Sequence, residues 1–196
     1  MAAFVSNNPG NVVPVNVYSQ TGLTPNILQT GFNPLLQGAA LPVFYIGDEK
    51  STDNNDIVSI CAQAPLAQTN YIFTRGTASI SVKTKTKFFG TGSGEYYLAI
   101  YAIEDGLSAT GDYQQTGNDD PSLKLNSILR GVGVPNANYP INVFGAQIAN
   151  GTVASGTYID KDFTVSVNPN ANINNIHISA VIWKKEGSSY KFINAF

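Results

Sequence analysis

One histidine, His177, and one cysteine, Cys61, occur in this chain, so imidazole and thiol chemistry each have a single candidate. A catalytic imidazole needs a nucleophile or an orienting carboxylate within reach. His177 instead lies among Ile176, Ile178, Ala180 and Val181, and no Gly-x-Ser-x-Gly segment offers a serine. It reads as a satisfied, half-buried strand histidine. Cys61 has no adjacent base and shares the apolar side of a short helix with Ile57 and Ile60, which reads as a small buried hydrophobe. A lone cysteine also excludes an internal disulfide and a cysteine-ligated zinc cluster. On these residues the chain is expected not to be an enzyme.

Binding chemistry has more candidates. Carboxylates gather in loops: Asp48, Glu49, Asp53 and Asp56, then Asp112, Asp119 and Asp120, then Asp160 and Asp162. Calcium takes several oxygen ligands, often from exposed loops. The run GDYQQTGNDDP, with Asp112, Asn118, Asp119 and Asp120, is therefore the expected place for Ca2+ if a cation binds, against ordinary turn chemistry. Its spacing is not that of an EF-hand. Tyr96, Tyr97, Tyr101, Tyr113, Tyr139 and Trp183 could stack on sugar rings, but strand alternation sends some of them inward. Tyr113 and Tyr139, in loops, are the expected ligand-facing pair. Lys83, Lys85 and Lys87 recur at every second position, which fits a solvated strand face that discourages edge pairing better than an anion site.

The elements that must carry these residues are mostly strands. The chain has 196 residues, 43% hydrophobic but only 12% charged, and draws its polarity from Asn, Gln, Ser and Thr beside 18 Gly and 10 Pro. Turn formers with aromatics and few charges point to β structure joined by many loops. Eleven basic against thirteen acidic residues leave no electrostatic footprint for nucleic acid. No apolar run reaches the length of a membrane span. MAAFVSNNPG lacks the basic and apolar regions of a signal peptide.

From about residue 67 the apolar period is two. TASISVKTKTKFF places Ala78, Ile80, Val82, Thr84, Thr86 and Phe88 on one side and the lysines on the other. GTGSGE (90–95) reads as a glycine-rich hairpin connection and not a phosphate loop. EYYLAIYAIEDG (95–106) and the 176–183 part of NINNIHISAVIWKK are apolar on both faces, as central strands are. Phe163, Val165 and Val167 alternate inward, and Glu186-Gly187-Ser188 forms a hairpin. Seven or eight such strands predict a mainly β fold, an antiparallel, jelly-roll-like β-sandwich over 67–196. Residues 1–66 follow α/β logic: strand 11–18, a helix or turn interrupted by Pro34, apolar run 41–46, and a helix capped by Asp53. Two apolar-faced strands cannot cover themselves. Val15 and Val17 are therefore the expected partner surface, met by the sandwich, by a cleaved piece or, first among these, by another copy in a homo-oligomer.

The order YYLAIYAIEDGL, a long loop ending in NSILRGV, FGAQIANGTVASGTYIDKDFTV and NNIHISAVIWKKEGSSYKFINA resembles the Omp28-related outer membrane proteins of the Bacteroidetes group, over roughly residues 70–196. The resemblance implies an exported, outer-membrane-associated or secreted protein of adhesin or receptor type. Residues 1–65 look like the later part of a thioredoxin-like domain, with Pro42 where such folds place a cis-proline. The Cys-x-x-Cys pair is absent, so redox activity does not carry over. The expected role is a non-enzymatic cell-surface binding or adhesion module, with protein or glycan as partner. The alternatives are a virion or filament subunit and a degenerate thiol oxidoreductase remnant.

Overall fold

A computed structural model describes residues 14–17, 23–36, 45–51, 53–110, 120, 122–167 and 171–196. In chain order the elements are α1 (Asn26–Gly31), α2 (Asn33–Leu36), β1 (Tyr45–Ile46), β2 (Glu49–Lys50), α3 (Asn54–Cys61), β3 (Ala67–Arg75), β4 (Ser79–Phe88) and β5 (Gly92–Glu104). There follow β6 (Leu107–Ser108), β7 (Lys124–Leu125), β8 (Ile128–Val132), β9 (Ala146–Val153), β10 (Tyr158–Ser166), a 3-10 turn (Ile173–Asn175), β11 (Ile176–Glu186) and β12 (Ser189–Ala195).

The period-two stretch forms β4, the middle strand of a three-stranded antiparallel sheet ordered β10-β4-β3. Ile80, Val82, Thr84, Thr86 and Phe88 are buried, as alternation predicts. The lysine row is solvated, but its strand is central, so the lysines do not guard an edge. The glycine run after β4 closes no hairpin either. It carries the chain across to the second sheet, where Gly92–Gly94 already pair with β9.

That second sheet is organised on β5. β11 runs antiparallel along one side of it, from Glu95↔Lys185 to Glu104↔Ile176. Two strands share the other side, β9 against Gly92–Leu98 and β8 against Tyr101–Glu104. β12 pairs the far side of β11 through the hairpin at Gly187. Ile80, Val82, Phe88, Phe163 and Val165 from the small sheet meet Tyr96, Leu98, Ile100, Ala102, Ile178, Ala180 and Ile182 from the large one. The eight strands of these two sheets make an antiparallel, mainly β sandwich with no closed barrel.

The other face of the large sheet is buried as well. Ala99, Tyr101, Ile103, Leu129, Val132, Val181 and Trp183 pack with Leu28 of α1, Leu35 of α2 and Phe32 between them, with Val15, and with Val143 and Phe144 from the turn before β9. This is why β5 and β11 are apolar on both faces. The turn sits so close that a Cβ on Gly145 (φ +87) would lie 2.0 Å from the Leu98 carbonyl oxygen, so only glycine fits. Tyr101 Oη donates to the Val143 carbonyl at 2.7 Å and pins the same turn.

The first segment is abbreviated. Pro34 falls in the first turn of α2, where its missing N–H costs nothing. Asp53 caps α3 as expected, accepting from Asn55 N at 2.8 Å. Cys61, however, is exposed, not buried. Ile57 is buried, but Cys61, one turn further on, is the last residue of this short helix and lies beyond its covered part. Of the run 41–46 only β1 is described, and it turns at Gly47-Asp48 into β2; Pro42 lies outside the described residues. Of strand 11–18, Asn16 forms a single parallel bridge with Ile128, donating to Ser127 O at 2.7 Å and accepting from Leu129 N at 3.0 Å. Val15 packs on the sheet, Val17 is exposed, and the partner of this edge at Asn16 is β8 of the same chain.

Candidate functional site

Strand register assembles a row of polar and aromatic side chains at one end of the large sheet. Glu95 and Tyr97 are two apart on β5 and so share a face. Lys185 of β11 stands opposite Glu95, and Tyr190 of β12 opposite Lys185. Gln147 of β9 stands opposite Tyr97. The Glu95 carboxylate accepts from Tyr97 Oη at 3.0 Å and from Gln147 Nε2 at 3.4 Å, and Lys185 Nζ lies 3.9 Å away. Behind this row Tyr190 stacks on Phe144 with centroids 3.8 Å apart and rings 6° from parallel. Tyr97 meets Tyr190 edge-on at 5.5 Å, and Trp183 meets Phe144 edge-on at 5.2 Å.

Burial, then the hydrogen bond to Glu95 and its charge, then the phenols of Tyr190 and Tyr139, push Tyr97 up to about 12. Tyr97 therefore stays a neutral hydroxyl at ordinary pH. The patch offers aromatic edges beside a carboxylate, an amide and an ammonium, a set suited to a ring bearing hydroxyl groups.

The expected site residues are described only in part. Asp112, Tyr113, Asn118 and Asp119 lie outside the described residues. The Asp120 carboxylate accepts from Ser122 N at 2.8 Å and Ser122 Oγ at 2.7 Å, which holds it below the usual carboxylate range. Among the described residues no three His, Cys, Asp or Glu side chains group closely enough to hold a metal ion. Tyr139 is half-buried and packs against the inner core, to which Tyr96 also belongs, and Tyr101 and Trp183 belong to the outer one.

His177 faces solvent instead of being half-buried. Its Nε2 lies 2.6 Å from Asp105 Oδ2, and the other Asp105 oxygen accepts the backbone amide of Ser127 at 2.6 Å. Ser127 has φ 60, a left-handed conformation that a residue with a Cβ adopts at a cost. The pair thus holds a tight turn ahead of β8. A more deeply placed pair, Arg130 Nε and Glu104 Oε2 at 3.0 Å, is nearly solvent-free. Glu104 also accepts from Asn172 N at 2.7 Å, and Arg130 donates to the Leu23 carbonyl, which ties the first segment to β8.

Fold and patch define a class: a mainly β antiparallel sandwich with a covered outer face and a tyrosine–carboxylate patch beside the cover. No family model and no curated protein matches the chain. Among solved structures it is similar to a domain of the outer membrane lipoprotein Omp28 from Porphyromonas gingivalis, at 16% identity and TM-score 0.39, covering 68% of this chain and 87% of that one. None of the described residues form a helix long and apolar enough to cross a membrane.

Proposed function

We propose that this chain is a non-enzymatic binding module of an exported or cell-surface protein, and that its patch at Glu95, Tyr97, Gln147, Lys185 and Tyr190 takes a neutral glycan. The observation that carries this reading is the convergence of Tyr97, Gln147 and Lys185 on one carboxylate beside stacked aromatic rings. Sugar recognition combines apolar contact with a few placed polar groups. The motif order shared with the outer membrane family supports the setting. The test is calorimetric titration of soluble oligosaccharides into the full chain. Saturable binding that falls about tenfold in Glu95→Gln and Tyr190→Ala, each still folded, supports it. Binding unaffected by both substitutions, or none to any glycan, sinks it.

A further inference from the structure

The tertiary structure leaves the lysine row without the duty expected of it. Lys83, Lys85 and Lys87 stand on β4, which lies between β3 and β10, so they have no edge to guard. Repeated at every second residue, they set like charges roughly 7 Å apart along one face. Lysine is also a poor strand former. The row works slightly against the fold that carries it.

Register gives each lysine different neighbours. Lys83 lies between Ile72 of β3 and Asp162 of β10, Lys85 between Asn70 and Asp160, and Lys87 between Gln68 and Tyr158. Lys85 Nζ is 3.5 Å from Asp160 Oδ1, and both side chains are more than half exposed, so water screens the pair and an incoming anion can open it. Among the described residues no carboxylate pairs with Lys87. Its Nζ lies 5.1 Å from the centre of the Phe89 ring and 5.3 Å from that of Tyr158, and Lys85 Nζ lies 5.9 Å from the same Tyr158 ring. Ring faces attract an ammonium without neutralising it. Two cations are thus gathered about one tyrosine, with a single exposed carboxylate beside them. Lys87 is half-buried, while Phe89 and Tyr158 are 47% and 56% exposed.

We infer that the Lys85–Lys87 end of this face binds an acidic polysaccharide whose sugars carry carboxylates. Three columns stand side by side there: the amides of Gln68 and Asn70, the two ammoniums, and Tyr158, with Phe89 at the tip. Ammoniums pair with carboxylates, amides exchange hydrogen bonds with ring hydroxyls, and aromatic surface covers the apolar side of a sugar ring. The unneutralised charge selects an anion, and its neighbours select a sugar. An anionic bilayer is held by clusters of about four to eight basic residues, more than this end supplies. A folded acidic protein covering the usual ~800 Å² would also lie over Asp160 and Asp162, which repel it. A single glycan strand is narrow enough to follow β4 and the amide column of β3, on the side of the lysines away from those aspartates. The site is on the opposite outer face of the sandwich from the Glu95 patch and does not depend on it.

Calorimetric titration of the full chain with polygalacturonate, its methyl-esterified form, poly-glutamate and phosphatidylglycerol vesicles tests this. Saturable binding of polygalacturonate is expected, weakening as salt rises and lost when the carboxyls are esterified. Lys87→Gln should weaken it about fivefold and the double variant Lys85→Gln/Lys87→Gln about twentyfold, with thermal melts unchanged. Asp160→Asn removes the competing carboxylate and should tighten binding about twofold. Lys83→Gln, beside Ile72 and Asp162, should change it by less than about twofold. No binding of polygalacturonate, or equal binding of the esterified chain, overturns the inference. So do equal losses from Lys83→Gln and Lys87→Gln, and so does tighter binding of poly-glutamate or of the vesicles.

Discussion

Both faces of the large sheet carry buried residues and are covered by unlike means. Inside, regular strands meet regular strands, and Ile80, Val82, Phe163 and Val165 interdigitate with Leu98, Ile100 and Ala180. Outside, two helices of six and four residues, a glycine-pinned turn and Val15 do the same work for Tyr101, Val132 and Trp183. The inner cover repeats every second residue. The outer cover is irregular, reaches the sheet through few side chains, and leaves the Tyr97–Tyr190 end open to solvent. A sheet buried on both faces can therefore have one regular cover and one irregular one, with the candidate site at the margin of the second.

The comparison can be broken most forcefully where the first segment is tied to the sandwich. Arg130→Met leaves Glu104 buried without its ion-pair partner and should cost about 4–5 kcal/mol in denaturant unfolding, most of it recovered when Glu104→Leu is added. Equal destabilisation by the single and double variants would show that the loss does not come from stranding the Glu104 carboxylate.

Truncations on the two faces sharpen the contrast. Ile100→Ala should cost about 3–4 kcal/mol, because the opposed sheets cannot close the cavity, and Leu28→Ala about 2 kcal/mol, because a six-residue helix can settle inward. Equal losses would mean that the outer cover is as rigid as the inner one.

The smallest effect concerns the outer face at high pH. Burial raises the pKa of Tyr101, and that of Tyr97 is pushed up to about 12, above the ordinary tyrosine value of about 10. Unfolded tyrosines ionise first, so between these values the unfolded state holds fewer protons and stability falls as pH rises. Below pH 10 this contribution is fully present. Tyr101→Phe should cost about 1 kcal/mol near neutrality through the lost bond to Val143, and should flatten the alkaline decline seen in melts. An unchanged alkaline slope would show that Tyr101 is not held neutral by burial.

Much of the inner face was legible in the chain. The alternation of Ile80, Val82, Thr84, Thr86 and Phe88 survives because a half-buried strand must present every second residue to its core. The cap at Asp53 and the hairpin at Gly187 are local events with local causes. The outer face was legible only as a requirement, since two-faced apolar strands demand a cover without naming it. The candidate patch was not legible beyond Tyr97. Glu95, Gln147, Lys185 and Tyr190 sit on four different strands, and a shift of one residue in any register would disperse them.

The sequence by itself determined the strands, their inward faces, the mainly β class and the lack of a second cysteine or histidine with which to build common catalytic centres. Each depends on residue type and on periods of a few residues, and neighbouring atoms decide such matters. Tertiary structure alone decided that β4 is central and β3 is an edge, that Cys61 and His177 face solvent, and that Asn16 leans on β8. These are properties of which distant segments meet. Chain connectivity permits many such meetings, and only the packing of both sheet faces at once selects among them.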